Sequence, residues 1–294
     1  MIGNDRAIPL PQLVDLDRHP LDRPSDPARA ALVDSARYEL HTTGCAIVRG
    51  MIRTDTVRAL DSEIVANKHA THFSTQVMNP YFHTAFDPSF PEHHPVNTFI
   101  ERSSGFIPGD AWDPSGPMNS LFRCPDVVRF VADCLGLDGL HCYADPLAGL
   151  TANILEAGQQ FTWHFDTNDF AVTVLVAEAD GGGLFEYAPS IRSDGDEGFE
   201  RIQAVLDDDP VARSGVTTLD LRPGDMQIFR GRHSLHRVTR VAPGSRPRHA
   251  AIFAYTSEPG VIGRVERTKQ LFGRVLDEHI AAEASRVRSD ALID

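Results

Sequence analysis

Short runs of apolar residues, separated by turns rich in glycine, proline and aspartate, fill the middle of the chain between Leu150 and Tyr255. Runs of this kind are typical of β-strands, and their close spacing favours a sandwich or jelly roll over alternating strands and helices. We predict strands at residues 150–155, 161–165, 170–177, 184–187, 217–221, 226–229, 236–241 and 250–255. The fold is therefore predicted to be mainly β, with a jelly-roll core.

Helical periodicity flanks this β-rich part on both sides. Asp26 and Pro27 begin an amphipathic pattern that ends at Gly44, with Asp26 as the N-cap and Pro27 at the first helical position. Further helices are predicted at residues 54–68, 121–135 and 265–286. The chain is thus predicted to be one domain, with an N-terminal arm and helical cap (1–95), a jelly-roll core (96–258) and a C-terminal helix (259–294).

Three shorter segments complete the predicted organisation. Residues 45–48 have the apolar pattern of a short buried strand. Residues 71–97 are rich in proline and histidine with weak periodicity, which predicts a covering loop. Residues 193–210 carry many acidic side chains, which favours an excursion on the surface that contains one short helix.

Composition narrows the classes of partner. The formal net charge is −13 and no basic stripe is visible, which argues against binding to duplex nucleic acid and against a polybasic membrane anchor. No apolar run approaches the ~20 residues that span a bilayer, and the first residues lack the pattern of a secretory signal. The four cysteines are scattered, without a CxxC pair. We therefore expect a cytoplasmic protein with reduced thiols whose partners are small molecules.

A candidate metal site lies on two of the predicted strands. His164 and Asp166 are two residues apart, so in a strand their side chains point to the same face. His236 opens a later strand, after the turn at 223–225 and another buried strand. Two histidines and one carboxylate leave three positions open for a bidentate co-substrate and O2, which suits Fe(II). His233 is the alternative third ligand, but it falls in the preceding turn.

The co-substrate 2-oxoglutarate would need a cation for its distal carboxylate. A guanidinium forms the bidentate pair that an ammonium cannot match. Arg248 follows His236 by twelve positions and opens a strand, and a hairpin bend at 243–245 is predicted to return it beside the metal. Arg246 is the alternative, although Pro247 interrupts the strand there.

These residues resemble a known family. His164, Asp166, His236 and Arg248 match the HxD…H…R pattern of the Fe(II)/2-oxoglutarate-dependent oxygenases, whose fold is a double-stranded β-helix. Finer motifs between about residues 102 and 255 resemble the freestanding amino-acid halogenases and their hydroxylase relatives. They are residues 102–106 (RSSGF), 143–146 (YADP), 182–187 (GGLFEY) and 231–239 (GRHSLHRVT).

The resemblance implies an activity. The halogenases carry glycine where Asp166 stands, which leaves room for chloride, so the carboxylate here implies a hydroxylase. An enzyme of this kind converts 2-oxoglutarate and O2 to succinate and CO2 while it hydroxylates an unactivated C–H bond. Desaturation or cyclisation would use the same ligands. Two other classes stay open: a cupin-type metalloprotein that does not use 2-oxoglutarate, and a noncatalytic binding module.

The resemblance also implies a substrate, a free amino acid or a similarly small polar molecule. Arg102 is the candidate for its carboxylate, with a surface arginine as the alternative. Asn153 is a candidate for hydrogen bonding to 2-oxoglutarate, with a strand-edge amide as the alternative. Thr167 and Asn168 follow the ligand pair and are candidates for the wall of the substrate pocket.

Overall fold

Two antiparallel β-sheets face each other across an apolar interior. The computed structural model describes residues 7–283 and 292–293. Side chains from both sheets, such as Leu155 and Phe229 from one and Tyr187 and Val238 from the other, meet in a single buried cluster. The prediction of a mainly β fold with flanking helices is confirmed, and the paired sheets are those of a jelly roll.

The larger sheet has seven strands in the order β1-β10-β7-β12-β5-β3-β2. Their bounds are β1 Cys45–Val48, β2 His72–Met78, β3 Ile100–Ile107, β5 Leu150–Leu155, β7 Ala171–Ala177, β10 Met226–Phe229 and β12 Arg248–Phe253. The smaller sheet has the order β6-β11-β8-β9, with β6 Phe161–His164, β8 Phe185–Ala188, β9 Thr217–Thr218 and β11 Leu235–Val238. A separate pair joins β4 His141–Cys142 to β13 Tyr255–Thr256.

The helices before residue 136 cover the outer face of the larger sheet. The described helices are α1 Leu10–Leu13, α2 Pro27–Thr43, α3 Thr54–Ala66, α4 Pro117–Phe122, α5 Pro125–Leu135, α6 Phe199–Leu206, α7 Pro210–Ser214, α8 Val265–Phe272 and α9 Asp277–Glu283. Asp26 caps α2 by accepting a hydrogen bond from the backbone N–H of Ala28, and Gly44 ends that helix with φ +72°, as the sequence predicts. None of the described helices is long and apolar enough to cross a membrane.

Side chains of the central strands alternate between an apolar outer face, which packs against the helices, and a more polar inner face. In β5, Leu150, Ala152 and Ile154 belong to the cluster that packs against the helices. Thr151 and Asn153 therefore face the opposite way, toward the smaller sheet, because successive side chains of a strand alternate between its faces. The larger sheet thus presents polar groups to the interior at this point.

Three predictions of local structure need correction. The segment predicted as a covering loop contains β2, which hydrogen-bonds to β3 at the edge of the larger sheet. The single C-terminal helix is two helices, since Gly273 ends α8 with φ +69°; its predicted last turn lies outside the described residues. The predicted hairpin between His236 and Arg248 is wrong, because β11 pairs within the smaller sheet and β12 within the larger one.

The limits of the domain stay a prediction. Strands β1 and β2, from the first 95 residues, hydrogen-bond in the same sheet as β5 and β7, so this part is more than a cap. The acidic segment contains α6, as predicted, and its last residue begins α7. All four cysteines are free thiols.

A buried carboxylate fastens the C-terminal helices to the core. Asp145, between β4 and β5, accepts hydrogen bonds at Oδ1 from the backbone N–H groups of Leu147 and Ala148. Its Oδ2 accepts from the N–H of Gly263 at 2.8 Å and from Nε2 of His279 at 3.0 Å. The side chains of Asp145 and His279 are fully buried. The chain from residue 263 onward is thereby held against the β-rich core.

Replacing Asp145 by Asn should destabilise the protein by roughly 2 kcal/mol. His279 accepts at Nδ1 from the N–H of Leu276, so its Nε2 must donate to Asp145. An Asn NH2 group would then face two donors, those of Gly263 and His279. Thermal and denaturant unfolding measure the loss. Asp138→Asn, on the surface, is the matched control, and equal stability of the two variants would contradict the role of Asp145.

Candidate active site

Two histidines face each other across neighbouring strands of the smaller sheet. His164 ends β6 and lies directly opposite His236 in β11. Both side chains are buried, and their ring centroids are 4.0 Å apart. The pairing of β6 with β11 therefore brings two imidazoles from distant parts of the sequence into one place.

Each imidazole is oriented by the backbone of its own strand. Nδ1 of His164 lies 2.7 Å from the carbonyl oxygen of Thr162, and Nδ1 of His236 lies 2.9 Å from that of Ser234. A carbonyl only accepts, so each Nδ1 carries the proton and each Nε2 keeps a free lone pair. Burial lowers the pKa of His164 well below its ordinary value, and the charge of His236 acts in the same direction. A neutral imidazole is the form that ligates a metal.

Asp166 completes the cluster from just beyond the end of β6. Its Oδ1 lies 3.4 Å from Nε2 of His236 and 3.9 Å from Nε2 of His164. The ligand atoms of all three residues lie within 4.8 Å of one another. Ligands that hold one ion at ~2 Å on a shared face stand ~3 Å apart. The donor set and its spacing therefore fit a divalent transition metal.

Gly231 makes room for that carboxylate. The backbone N–H of Asp166 donates to the carbonyl of Gly231 at 3.1 Å, which brings the two segments into close contact. A Cβ at position 231 would overlap Oδ2 of Asp166. The 231–239 motif therefore begins with glycine because a side chain at that position would collide with Asp166.

His233 lies elsewhere. Its Nε2 is 3.0 Å from Oδ1 of Asp194 in the acidic segment, and the side chain is partly exposed. The cluster of candidate metal ligands in the described part of the chain contains His236 and does not include His233.

Arg248 is a buried cation at the start of β12. The residue is 6% exposed, and the structure shows no ion pair or hydrogen bond from its side chain to the described residues. Burial lowers its pKa to about 10. Gly183, with φ +64°, lies against it, since a Cβ there would stand 3.3 Å from Cδ of Arg248. By alternation Arg248 shares the inner face of β12 with Ala250 and Ile252.

Arg246 differs from Arg248 in exposure, in its ion pair and in the direction of its pKa shift. It is exposed, and its guanidinium binds Asp180 with an N–O distance of 2.8 Å. This pairing raises the pKa of Arg246 and lowers that of Asp180. Of the two arginines, only Arg248 has a guanidinium that lies buried without a carboxylate partner in the described part of the chain.

Asn153 and Arg102 are both buried on the inner face of the larger sheet. Asn153 lies opposite Ala250 of β12 and donates from Nδ2 to the carbonyl of Gly105 at 3.2 Å. Arg102, in β3, is 0% exposed, so it is not a surface arginine. Its Nε donates to Oγ of Ser104 at 3.0 Å, whereas its Nη1 is buried with no hydrogen-bond partner. Burial lowers its pKa to about 10.

A cavity of about 460 Å³ opens over Asp166. Thr167 and Asn168 line it, so the structure brings both next to the candidate metal ligands. Its other walls come from the inner faces of both sheets and from α8. They include Phe106, Thr151, Phe161, Ile252, Glu258, Arg264, Arg267, Thr268 and Leu271.

Arg267 and Phe82 are site residues that the sequence patterns did not single out. Cζ of Arg267, in α8, lies 3.2 Å from the ring centroid of Phe82, whose ring in turn lies 5.3 Å from that of His164. Phe82 has φ +67°, and Gln270 of α8 donates to its carbonyl. Arg267 stands four residues before Leu271, on the apolar face of the predicted helix, and this was the signal available in the sequence.

Several solved structures have a similar fold. The epimerase SnoN from nogalamycin biosynthesis, described as non-heme and α-ketoglutarate-dependent, is 16% identical, with a TM-score of 0.51 over 79% of this chain and 83% of its own. The carbocyclase SnoK from the same biosynthesis, with the same cofactor description, is 15% identical, with a TM-score of 0.50 over 76% and 82%. AviO1 from Streptomyces viridochromogenes is 12% identical, with a TM-score of 0.50 over 79% and 96%.

Comparison at the level of families is more specific. No curated protein matches the sequence. The family model named halogenase D matches residues 112–271, which is more than half of the chain and includes all three candidate metal ligands and Arg248. The chain therefore belongs to the halogenase D family, and its fold is that of the 2-oxoglutarate- and Fe(II)-dependent oxygenases.

Proposed function

We propose that this protein is an Fe(II)- and 2-oxoglutarate-dependent oxygenase that hydroxylates an unactivated C–H bond of a free amino acid or a similarly small polar molecule. The observation that carries the proposal is the cluster of His164, Asp166 and His236, with its three ligand atoms within 4.8 Å. Bound Fe(II), with 2-oxoglutarate and O2, supplies the oxidising chemistry.

The residues of the chain bind and orient the reactants. The two imidazoles and the carboxylate hold the ion from one side, which leaves the opposite side for the co-substrates. Arg248 suits the distal carboxylate of 2-oxoglutarate, because a buried guanidinium without an acidic partner gains a charge-assisted pair when an anion arrives. The aromatic and aliphatic walls of the cavity exclude water from the reacting C–H bond.

Asp166 favours hydroxylation over halogenation despite the name of the family. A halide would need a metal position without a protein ligand, and here a carboxylate oxygen stands 3.4 Å from Nε2 of His236. The direct test is an aerobic assay of succinate formation with Fe(II), 2-oxoglutarate and a panel of amino acids, with mass spectrometry of the products. A gain of one oxygen supports hydroxylation, whereas a loss of two hydrogens indicates desaturation or ring closure.

His236→Ala should lose both Fe(II) binding and turnover, because two remaining ligands hold the ion weakly. His233→Ala should retain both, since His233 contacts Asp194 outside the cluster. Iron content after anaerobic loading and succinate formation are the measurements. Normal iron content in His236→Ala, combined with loss of iron in His233→Ala, would show that the third ligand is wrongly assigned.

Arg248→Lys should weaken 2-oxoglutarate binding by roughly 1–3 kcal/mol, because a single ammonium replaces a bidentate guanidinium. Arg246→Lys is the matched control and should leave that affinity unchanged, since Arg246 is exposed and pairs with Asp180. Anaerobic titration of the Fe(II) protein with 2-oxoglutarate measures both. A larger effect at Arg246 would move the co-substrate site.

The wild-type enzyme should give no chlorinated product even at high chloride, because Asp166 occupies the position that a halide would need. Asp166→Gly should open that position and yet give mostly inactive protein. Chloride also needs hydrogen-bond donors around it, and the substrate C–H must lie nearer the halide than the hydroxyl. Mass spectrometry of products with and without chloride decides. A chlorinated product from the wild type would contradict the assignment of Asp166 as a ligand.

A further inference from the structure

Arg267 is a cation in the cavity wall that forms no ion pair with the described residues. Its side chain lines the cavity, and its guanidinium stacks on Phe82. Nη1 is buried without a hydrogen-bond partner, and the structure shows no ion pair between Arg267 and a described residue. Arg267 is half-buried, and burial of its guanidinium, followed by the charge of Arg102, lowers its pKa well below the ordinary range, whereas the charge of Asp166 acts in the opposite direction.

The carboxylates that line the cavity form no ion pair with Arg267 in the described part of the chain. Asp166 and Glu258 are the two acidic residues in the described lining. Asp166 turns its Oδ1 toward His164 and His236, and Glu258 is exposed at the rim. Arg264 also lines the cavity, but it has interactions of its own.

A second uncompensated cation lies behind the wall. Cζ of Arg102 stands 5.0 Å from the ring centroid of Phe161 and 5.7 Å from that of Phe106, and both rings line the cavity. Its Nη1 is buried without a partner, and the two side-chain partners of Arg102 are the neutral hydroxyls of Ser104 and Ser74. Two guanidinium groups thus raise the potential of the cavity.

The bound reactants of the proposed function would not cancel this excess. Fe(II) and Arg248 bring positive charge that Asp166 and the two carboxylates of 2-oxoglutarate neutralise. A zwitterionic amino acid adds no net charge, so Arg102 and Arg267 would stay uncompensated after it binds. Leaving charges unpaired in a poorly hydrated interior is costly, and a substrate with a net charge of −1 offsets one of these two charges and so lowers that cost.

We propose that Arg267 binds an acidic group of the substrate, and that the substrate is a small molecule with two carboxylates, such as an amino acid with an acidic side chain. This inference rests on the proposed function and specifies its substrate class. One carboxylate of the substrate pairs with Arg267. The positive charge of Arg102, which lies behind the aromatic wall of the cavity, stabilises both substrate carboxylates. The carboxylate of Glu258 at the rim suits an ammonium group.

The test compares matched acids and amides: aspartate with asparagine, glutamate with glutamine, and lysine and leucine as cationic and apolar references. Dissociation constants are measured by anaerobic calorimetry with Fe(II) and saturating 2-oxoglutarate, and substrate-dependent succinate formation is measured in air. We expect at least one acid to bind about tenfold or more tightly than its amide, as a charge-assisted pair implies.

Arg267→Gln should abolish the preference for the acid, measured as the ratio of the dissociation constants of the acid and its amide in the same variant. Arg267→Lys keeps the charge and should keep part of the preference. Lys269→Gln removes one positive charge from the exposed side of the same helix and should change nothing. Unfolding temperatures of all three variants establish that each is folded.

The outcomes separate this inference from the proposed function. Tight binding of an amide, lysine or leucine, or no binding by any of the acids, overturns the inference, while Fe(II)- and 2-oxoglutarate-dependent succinate formation keeps the proposed function. A loss of 2-oxoglutarate affinity in Arg267→Gln also overturns it, because Arg267 would then serve the co-substrate. Absence of both Fe(II) and 2-oxoglutarate binding in the wild type refutes the proposed function and the inference together.

Discussion

The alignment of β6 with β11 is the constraint on which the candidate site depends. In an antiparallel ladder, a shift of one residue turns every side chain of a strand to the other face, so a slipped register would separate His164 from His236. Aromatic neighbours pack against both imidazoles in this register. Phe161 stacks on His164 at 4.1 Å and Phe229 meets the edge of the His236 ring at 4.8 Å. The contact of Phe229, from the larger sheet, with His236 therefore joins the two sheets and also helps to hold one imidazole in place.

Within the candidate metal site, the pair of His164 and Asp166 could be predicted from the sequence because it rests on a local rule. Residues two apart in a strand share a face, and this places His164 and Asp166 together even though β6 ends at His164. The route from His236 to Arg248 could not be predicted in the same way. The connecting residues look like a hairpin turn, whereas the strands they join pair with partners in different sheets. Which sheet a strand joins depends on contacts with distant strands, and those leave no local pattern.

The contact between Arg267 and Phe82 in the cavity wall also could not be predicted from local sequence patterns. Arg267 belongs to a helix whose periodicity the sequence shows, but its neighbour Phe82 comes from a segment with no regular pattern and has a positive φ. The helix that carries Arg267 is attached to the core by Asp145, which accepts a hydrogen bond from Gly263, and by Gln270, which donates to the carbonyl of Phe82. When long-range contacts place a side chain in a site, the residues next to it in the sequence do not reveal its position.

Two buried arginines, Arg102 and Arg248, place positive charge in the interior between the two sheets. Burial lowers the pKa of Arg102 and of Arg248 to about 10, which reflects the free energy cost of holding charge away from water. A core selected for stability alone would contain apolar residues at these positions. Because the cost falls when an anion binds, the same charges favour binding of carboxylates over neutral molecules of equal size. Under the proposed function, these charges lower the stability of the free protein and raise its affinity for the carboxylates of the co-substrate and the substrate.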